Sequence, residues 1–384
     1  MKKKWLWPCV MVLLLVWTVY MLLADQPPAQ LWTGLRTADP LFLLAGFGLM
    51  GLFLACEALS THLVLRILGT PAPLHRCLGY SCLGFYFSTV TPSSTGGQPM
   101  QVWSMAKDGI PAAHGALDML LISICYQLAA ALYALGAWVF FPRLTENLSM
   151  GLKLLFLFGF TSTLALAGVM VLFLVRPGWC SKLADALTVL LRYLPWCKDP
   201  RAFRGKLEEP IAQYTWGGSF LCRRPSLIPR LLGLSLCQLG CLYLVPWTVY
   251  RAFGLTGHSA LELTALQALM AVAVGLLPLP GAAGAAETAF LTGFAAFFGE
   301  LVTPAVVLSR GISCYGMLLI TGLVCLLIHF RRRRRDRAVQ SGAVSFLPGQ
   351  DGSTDHGGIG PGPSPVRDAG PHHPASLDTK SKIG

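Results

Sequence analysis

The residues of this chain that are best suited to chemistry gather at two short breaks in its apolar stretches. The first break runs from Thr91 to Pro99, and its candidate binding residues are Ser93, Ser94, Thr95, Gly96, Gly97, Gln98 and, shortly after it, Gln101. A helix that restarts inside a membrane presents unpaired backbone N–H groups and the positive end of its dipole. Both favour an anion such as a lipid phosphate. We expect binding here and predict no catalytic residue; a kink that serves only packing is the alternative.

The second break runs from Pro278 to Glu287, and its candidate binding residues are Pro280, Gly281, Gly284 and Glu287. Its glycines allow the backbone to approach a ligand closely. A carboxylate inside a membrane is costly and marks a functional candidate, so we expect Glu287 to engage a cationic headgroup. The alternative role for Glu287 is to cap the first turn of its own half-helix.

A basic residue, Arg310, follows the second break within the last apolar segment. It precedes Arg331 by roughly 31 Å of helix, which predicts a position near the outer interface. There Arg310 either extends its side chain to the interface or pairs with Glu287 or with an anionic headgroup. We count it among the candidate substrate-binding residues.

An acidic residue, Glu57, lies within the second long apolar run. About 15 Å of helix separates it from Ile67, which places it near the middle of a bilayer. His62 and Arg66 follow on the next turns. These three residues either form an interior polar network, or Arg66 simply faces the cytoplasm. Glu57 is a further candidate substrate-binding residue.

Composition defines the elements that must position these residues. Of the 384 residues, 54% are hydrophobic and only 12% are charged, with a mean hydropathy of +0.58. Soluble domains carry about 25% charged residues. Because apolar runs of 18 or more residues recur, we predict an all-α polytopic membrane protein with about six full transmembrane helices. These are Trp5–Leu23, Leu41–Ile67, Ala116–Phe141, Leu152–Val175, Leu227–Tyr250 and Ala305–Phe330.

The two breaks interrupt segments whose arms are too short to cross a bilayer. Each arm of Cys77–Met105 and Leu263–Val302 reaches roughly 21–24 Å, against a hydrocarbon core of about 30 Å. A Pro/Gly-broken segment in each half of a membrane protein is the best sequence pointer to a transport site. We therefore expect two re-entrant, broken-helix hairpins.

Positive charge predicts how the chain crosses the membrane. Lys2–Lys4 place the N-terminus in the cytoplasm before a retained first helix. The basic loop 176–224 divides the halves, roughly 1–175 and 225–335, on the same side. The N-terminus, the loop 176–224 and Arg331 can all lie in the cytoplasm only if the first hairpin enters the membrane from the cytoplasm and the second from outside. This is the arrangement of an inverted repeat. Residues 336–384 predict a disordered cytoplasmic tail.

Charge and cysteine usage exclude other classes of function. The net charge of +12 comes from cytoplasmic loops and from Arg331–Arg335 directly after an apolar span. This pattern is typical of a stop-transfer signal with headgroup contact, so no nucleic-acid partner is expected. The twelve cysteines are scattered and none forms CxxC, which indicates neither a disulfide framework nor a metal site. No cofactor is expected.

The sequence around the breaks resembles a known family. Phe87–Val102 is similar to the first signature of the lysylphosphatidylglycerol synthase transmembrane-region family, and Leu279–Glu287 is similar to its second. Ser309–Tyr315 resembles the Arg-to-Tyr stretch that follows. The resemblance covers approximately residues 5–335. Gln98 stands where many members have an acidic residue, and a more Gly-rich stretch of the second signature is replaced by alanines.

The resemblance implies lipid transport in the plasma membrane. The family includes flippases that move lysylphosphatidylglycerol to the outer leaflet and thereby confer resistance to cationic peptides. In full-length members a large soluble domain makes that lipid from lysyl-tRNA. Only 336–384 follow the last predicted helix here, so the resemblance implies a stand-alone flippase-like member. Its expected partners are an anionic or aminoacylated phospholipid and a separate lipid synthase, with a homo-oligomer as a further possibility.

Two alternative functions remain open at the level of sequence. The family label itself suggests a phosphatidylglycerol lysyltransferase, although no tRNA-binding or acyl-transfer site is recognisable. The second alternative is a small-solute or ion transporter of the same architecture, in which Glu57 and Glu287 form a proton relay.

Overall fold

The computed structural model describes residues 36–91, 94–146, 149–175, 226–275 and 284–340. The predicted first helix, the basic loop 176–224 and the tail beyond 340 lie outside the described residues. Three candidate binding residues, Ser93, Pro280 and Gly281, lie outside them as well.

Every regular element within those ranges is helical, which confirms the all-α prediction. The helices are α1 (Pro40–Ile67), α2 (Leu74–Val90), α3 (Gly97–Lys107), α4 (Ala112–Phe140), α5 (Pro142–Glu146), α6 (Met150–Val175), α7 (Leu227–Tyr243), α8 (Val245–Ala252), α9 (Ala260–Val274), α10 (Ala285–Gly293), α11 (Ala295–Phe298), α12 (Val302–Arg310) and α13 (Met317–Gln340). Five stretches of the described chain are long and apolar enough to cross a membrane: Pro40–Ile67, Ala112–Phe140, Met150–Leu172, Leu227–Ala252 and Ala295–Arg334.

Local sequence explains where α1 begins and ends. Asp39 caps its start, since its Oδ1 accepts a hydrogen bond of 2.8 Å from the backbone N–H of Leu41. Pro40 occupies the first helical position, where a missing N–H costs nothing. The helix ends before Gly69, whose φ of +79° suits a residue without a Cβ.

The first broken segment folds into a helical hairpin. At one end the Tyr80 hydroxyl donates to Asp108 Oδ2 at 2.7 Å. Further along, a Cβ at Gly84 would collide with the Gln101 side chain, and a Cβ at Gly97 would collide with Ser88. Residues that lie progressively later in α2 therefore meet residues progressively earlier in α3, so the two helices run antiparallel.

The second broken segment folds in the same way. Ser259 and Glu262 form a reciprocal cap at the start of α9. The rings of His258 and Phe297 lie 4.4 Å apart at the open end of the hairpin. Deeper in, the sulfur of Met270 sits 3.1 Å from where a Cβ at Gly293 would stand. Helix α9 is thus antiparallel to the pair α10–α11.

The last long helix is interrupted rather than uniform. A 3-10 turn at Gly299–Leu301 leads into α12, and a π-helical turn at Gly311–Gly316 joins α12 to α13. The single helix predicted over Ala305–Phe330 is therefore longer than expected and contains a local irregularity. Helix α13 continues to Gln340, which extends it into the segment expected to be a disordered tail.

The chain divides into two units, Met1–Arg334 and Arg335–Gly384, and the second is described only as far as Gln340. The largest buried cluster of the first unit joins α1, α4 and α7–α9 to the second hairpin and α12. Smaller apolar clusters fix the first hairpin to α4 and to α13.

Candidate functional site

An ion pair lies just after the second break. Arg310 Nε donates to Glu287 Oε1 at 2.8 Å, and the Tyr315 hydroxyl donates to the same oxygen at 3.1 Å. The other oxygen, Oε2, accepts the backbone N–H of Gly284 at 2.6 Å. The side chains of Arg310 and Glu287 are only 17% and 16% exposed. Glu287 therefore caps its own half-helix, which is the alternative role weighed from sequence, and it also pairs with Arg310.

The fold brings Glu287 and Arg310 together through a reversal of the chain. Gly299, with a φ of +55°, lies between them at the turn that sends α12 back along α10. Glu287 and Arg310 lie at nearly equal distances along the chain before and after Gly299. Their side chains therefore meet across the two antiparallel helices. The π-helical turn that begins at Gly311 then positions Tyr315, and such turns are frequent at functional sites.

The surroundings of Arg310 distinguish between the alternatives for its side chain. Its helix begins at Val302, eight residues earlier, so Arg310 lies about 12 Å along the helix from that start. There its guanidinium pairs with Glu287 and packs 5.6 Å from the centre of the Tyr315 ring. The pairing alternative is the one observed.

The first break presents accessible polar groups. Ser94, Thr95 and Gln98 are exposed, and Ser94 has a positive φ of 55°, a strained conformation for a serine. The Thr91 hydroxyl accepts the backbone N–H of Gly96 at 2.9 Å and donates to the Phe87 carbonyl at 2.6 Å. One threonine side chain thus closes the turn between the two half-helices.

The glycine pair of the first break is required by close packing. A Cβ at Gly96 would stand 2.6 Å from Thr91 Cγ2, and one at Gly97 would stand 2.6 Å from the carbonyl oxygen of Gly84. The tip of the hairpin therefore tolerates no side chain at either position. Gln98, just after the pair, donates from Nε2 to the Ser123 hydroxyl of α4 at 2.6 Å.

Both hairpins lie along the helix that runs from α12 into α13. At its far end, Arg332 Nη2 donates to Asp108 Oδ2 and to Ser104 Oγ, both at 2.9 Å, at the open end of the first hairpin. Phe87, near the tip of that hairpin, belongs to a cluster with Leu318. The second hairpin places Glu287 against Arg310 and Tyr315.

The order of these contacts fixes the relative direction of the hairpins. The first hairpin extends from Arg332 towards Leu318, while the second begins beside the start of α12 and reaches Arg310 and Tyr315. Phe87 of the first hairpin and Glu287 of the second, each near its break, therefore both lie beside residues 310–318. The first break and the ion pair are neighbours along one helix.

A second polar cluster surrounds Glu57 on α1. Gln101 Nε2 donates to Glu57 Oε1 at 2.8 Å, and Gln238 Nε2 of α7 donates to Oε2 at 3.3 Å. Gln101 and Gln238 are buried, while Glu57 keeps part of its surface accessible. Two candidate residues, Glu57 and Gln101, are thus brought into direct contact.

Of the two alternatives left open for Glu57, His62 and Arg66, an interior network of the three is not the one observed. His62 Nδ1 instead lies 2.7 Å from the carbonyl oxygen of Ala72, and Arg66 is exposed. The reason is helical register: Gln101 and Gln238 project from other helices onto the face of α1 that carries Glu57, whereas His62 and Arg66 turn away from it. Among the described residues, no hydrogen bond joins Glu57 to Glu287, which belongs to the other cluster.

Four residues at or beside these clusters are not among the candidates predicted from sequence: Tyr315, Gln238, and the neighbouring pair Asp118 and Thr61. Tyr315 appears in the sequence analysis only as the end of the Ser309–Tyr315 stretch. Asp118 did carry a signal, since it is an acidic residue inside the apolar run of α4. For Gln238 and Thr61 a lone polar residue in a hydrophobic helix is too common to stand out.

The fold defines the class of the protein as a multi-pass, all-α membrane protein. The chain belongs to the family described as the lysylphosphatidylglycerol synthase TM region, whose model matches residues 5–322. The suspected family is therefore confirmed over nearly the whole range expected. A comparison with curated proteins gave no match.

Proposed function

We propose that this protein translocates a phospholipid, such as lysylphosphatidylglycerol, to the outer leaflet of the plasma membrane. Membership of its family supports a role connected with that lipid. The observation that carries the proposal is the Glu287–Arg310 ion pair, which joins the second hairpin to the helix that the first hairpin also contacts. In transporters with inverted repeats, broken helices of this kind hold the substrate near the middle of the membrane.

The ion pair matches the charges of an aminoacylated headgroup. Such a lipid carries one phosphate and, on its lysyl group, amines. Arg310 is suited to the phosphate because a guanidinium presents several donors in one plane, and Glu287 is suited to an ammonium. A headgroup that engages both would replace the internal pair by two new ones, so neither charge would be left uncompensated inside the membrane.

The first break contributes the remaining contacts in this proposal. Ser94, Thr95 and Gln98 are accessible at the tip of the first hairpin and offer hydroxyl and amide groups to ester and phosphate oxygens. Rocking of the two halves about this point would then expose the headgroup alternately to the two sides. The cytoplasmic location of both termini belongs to the same proposal and rests on the charge pattern.

The experiment compares the sidedness of the lipid in cells that make lysylphosphatidylglycerol, with and without the protein. An impermeant amine reagent labels the outer leaflet, and thin-layer chromatography measures total lipid. We expect the protein to raise the labelled fraction without changing the total. Glu287→Gln should lower the labelled fraction towards the level of cells lacking the protein. Glu300→Gln, which changes an exposed glutamate in the turn at Gly299–Leu301, should leave the labelled fraction unchanged.

Two outcomes would contradict the proposal. Equal labelling at equal total lipid, with the protein demonstrably in the membrane, would exclude outward transport of this lipid. A new lipid species in a host that does not otherwise make it would instead indicate a lysyltransferase. The assay therefore separates transport from synthesis in one set of samples.

A further inference from the structure

An acidic residue away from the ion pair, Asp118, has no compensating charge among the described residues. Asp118 of α4 is completely buried, with a relative exposure of 0%. None of the described residues donates a hydrogen bond of normal geometry to either of its carboxylate oxygens. The Thr61 hydroxyl of α1 is buried and faces the carboxylate, although it does not donate to it with normal geometry.

The neighbourhood of Asp118 consists of oxygen groups. Glu57 is close enough to repel it electrostatically, and Thr61 lies one turn after Glu57 on the same face of α1. Gln101 and Gln238 direct their amide nitrogens to Glu57, which leaves both of their buried carbonyl oxygens without a donor. Four helices, α1, α3, α4 and α7, supply these groups.

Positive charge is missing from this cluster among the described residues. None of their ion pairs includes Glu57 or Asp118. The other titratable groups that face the two carboxylates are Cys77 of α2, next to Asp118, and Cys82 and Tyr126, near Glu57. None of these is a cation at neutral pH. An ionised carboxylate that is buried without a partner is strongly unfavourable, so a positive ligand would stabilise the cluster.

We propose that Asp118, Thr61 and Glu57, with the carbonyl oxygens of Gln101 and Gln238, form a binding site for a small monovalent cation, either H⁺ or Na⁺. Carboxylate, hydroxyl and amide oxygens are hard ligands that suit Na⁺, and a buried carboxylate is also a proton acceptor. Membrane transporters hold coupling ions at interior sites of this chemistry. In this proposal the bound cation also drives lipid movement. That part alone rests on the proposed function.

The test measures binding by the purified full chain in detergent, without any lipid transport. In the first arm, thermal unfolding is followed while NaCl replaces choline chloride at constant ionic strength. In the second arm, infrared difference spectra across a pH series detect the carbonyl band of a protonated carboxylic acid. The variants are Asp118→Asn, Thr61→Val and, as a control that removes one acidic group elsewhere, Glu300→Gln.

Binding of Na⁺ predicts that the melting temperature of the wild-type chain rises with Na⁺. The rise should be absent in Asp118→Asn and reduced in Thr61→Val. Binding of H⁺ predicts an acid carbonyl band that Asp118→Asn removes and Thr61→Val shifts. Glu300→Gln should behave as wild type in both arms.

The proposal is overturned if the wild-type chain shows neither a Na⁺-dependent melting temperature nor an acid band that depends on Asp118. If Asp118→Asn does not fold, Thr61→Val decides the question, because it keeps the shape of the side chain and removes only the hydroxyl. A positive result here together with no change in lipid sidedness would reject the proposed function and leave the cation site standing.

Discussion

Glu287 organises its surroundings at the scale of single residues, because one carboxylate satisfies three donors. It accepts from Arg310, from Tyr315 and from the backbone of Gly284. Hydrogen bonds to a charged group contribute about 1.5–3 kcal/mol each, more than neutral ones. Arg310 also stacks near the Tyr315 ring, so its role combines charge with shape.

We expect Tyr315→Phe to lower the free energy of unfolding by about 1–2 kcal/mol. The substitution removes one hydrogen bond to a carboxylate and keeps the ring beside Arg310. Chemical or thermal unfolding in detergent measures the change. In a Glu287→Gln background, Tyr315→Phe should lower the free energy of unfolding by markedly less, because the charged acceptor is gone. Equal costs in both backgrounds would mean that the hydroxyl does not act through Glu287.

At the scale of elements, the close packing of the first hairpin requires glycine where its two helices meet. Gly97 lies at the start of α3, where a Cβ would stand 2.6 Å from a backbone carbonyl oxygen of α2. Gly48 of α1, in contrast, has nothing within 4 Å of the place where its Cβ would be. The pair offers a matched comparison between a crowded glycine and an open one.

We expect Gly97→Ala to destabilise the protein by about 1–3 kcal/mol, because the backbone of the first hairpin must move to accommodate the methyl group. Gly48→Ala should be neutral or stabilising by up to about 1 kcal/mol, because alanine favours the helix more than glycine does. Melting temperatures of the two variants test this. A Gly97→Ala protein as stable as Gly48→Ala would show that the hairpin tip is not closely packed.

Whole helices and hairpins could be predicted from the sequence, whereas contacts between helices could not. Long apolar runs predicted α1, α4 and α6 within four residues at each end, and Pro/Gly breaks predicted both hairpins. The contact between Glu57 and Gln238 joins residues far apart in the chain, and helical register across separate segments cannot be read from one sequence. The break at Leu244 between α7 and α8 was also missed, although Pro246 in the first turn of α8 was a visible signal.

At the scale of the whole molecule, opposite hairpins share one helix, which acts as a common support. The ion pair between Arg332 and Asp108 attaches α13 to the open end of the first hairpin, while Gly299 turns α11 back into α12 at the open end of the second. If both hairpins lie in a membrane, their open ends must face opposite sides. This conclusion can be tested without knowing the substrate.

We therefore expect single cysteines at two exposed turns to be labelled from opposite sides of the membrane. Lys107→Cys lies at the open end of the first hairpin and Glu300→Cys at that of the second, and both side chains are exposed. An impermeant thiol reagent added to intact cells should modify Glu300→Cys well above the background of the native cysteines. It should modify Lys107→Cys only after the membrane is permeabilised. Labelling of both positions from the same side would contradict the inverted arrangement, and with it the alternating access on which the proposed lipid translocation depends.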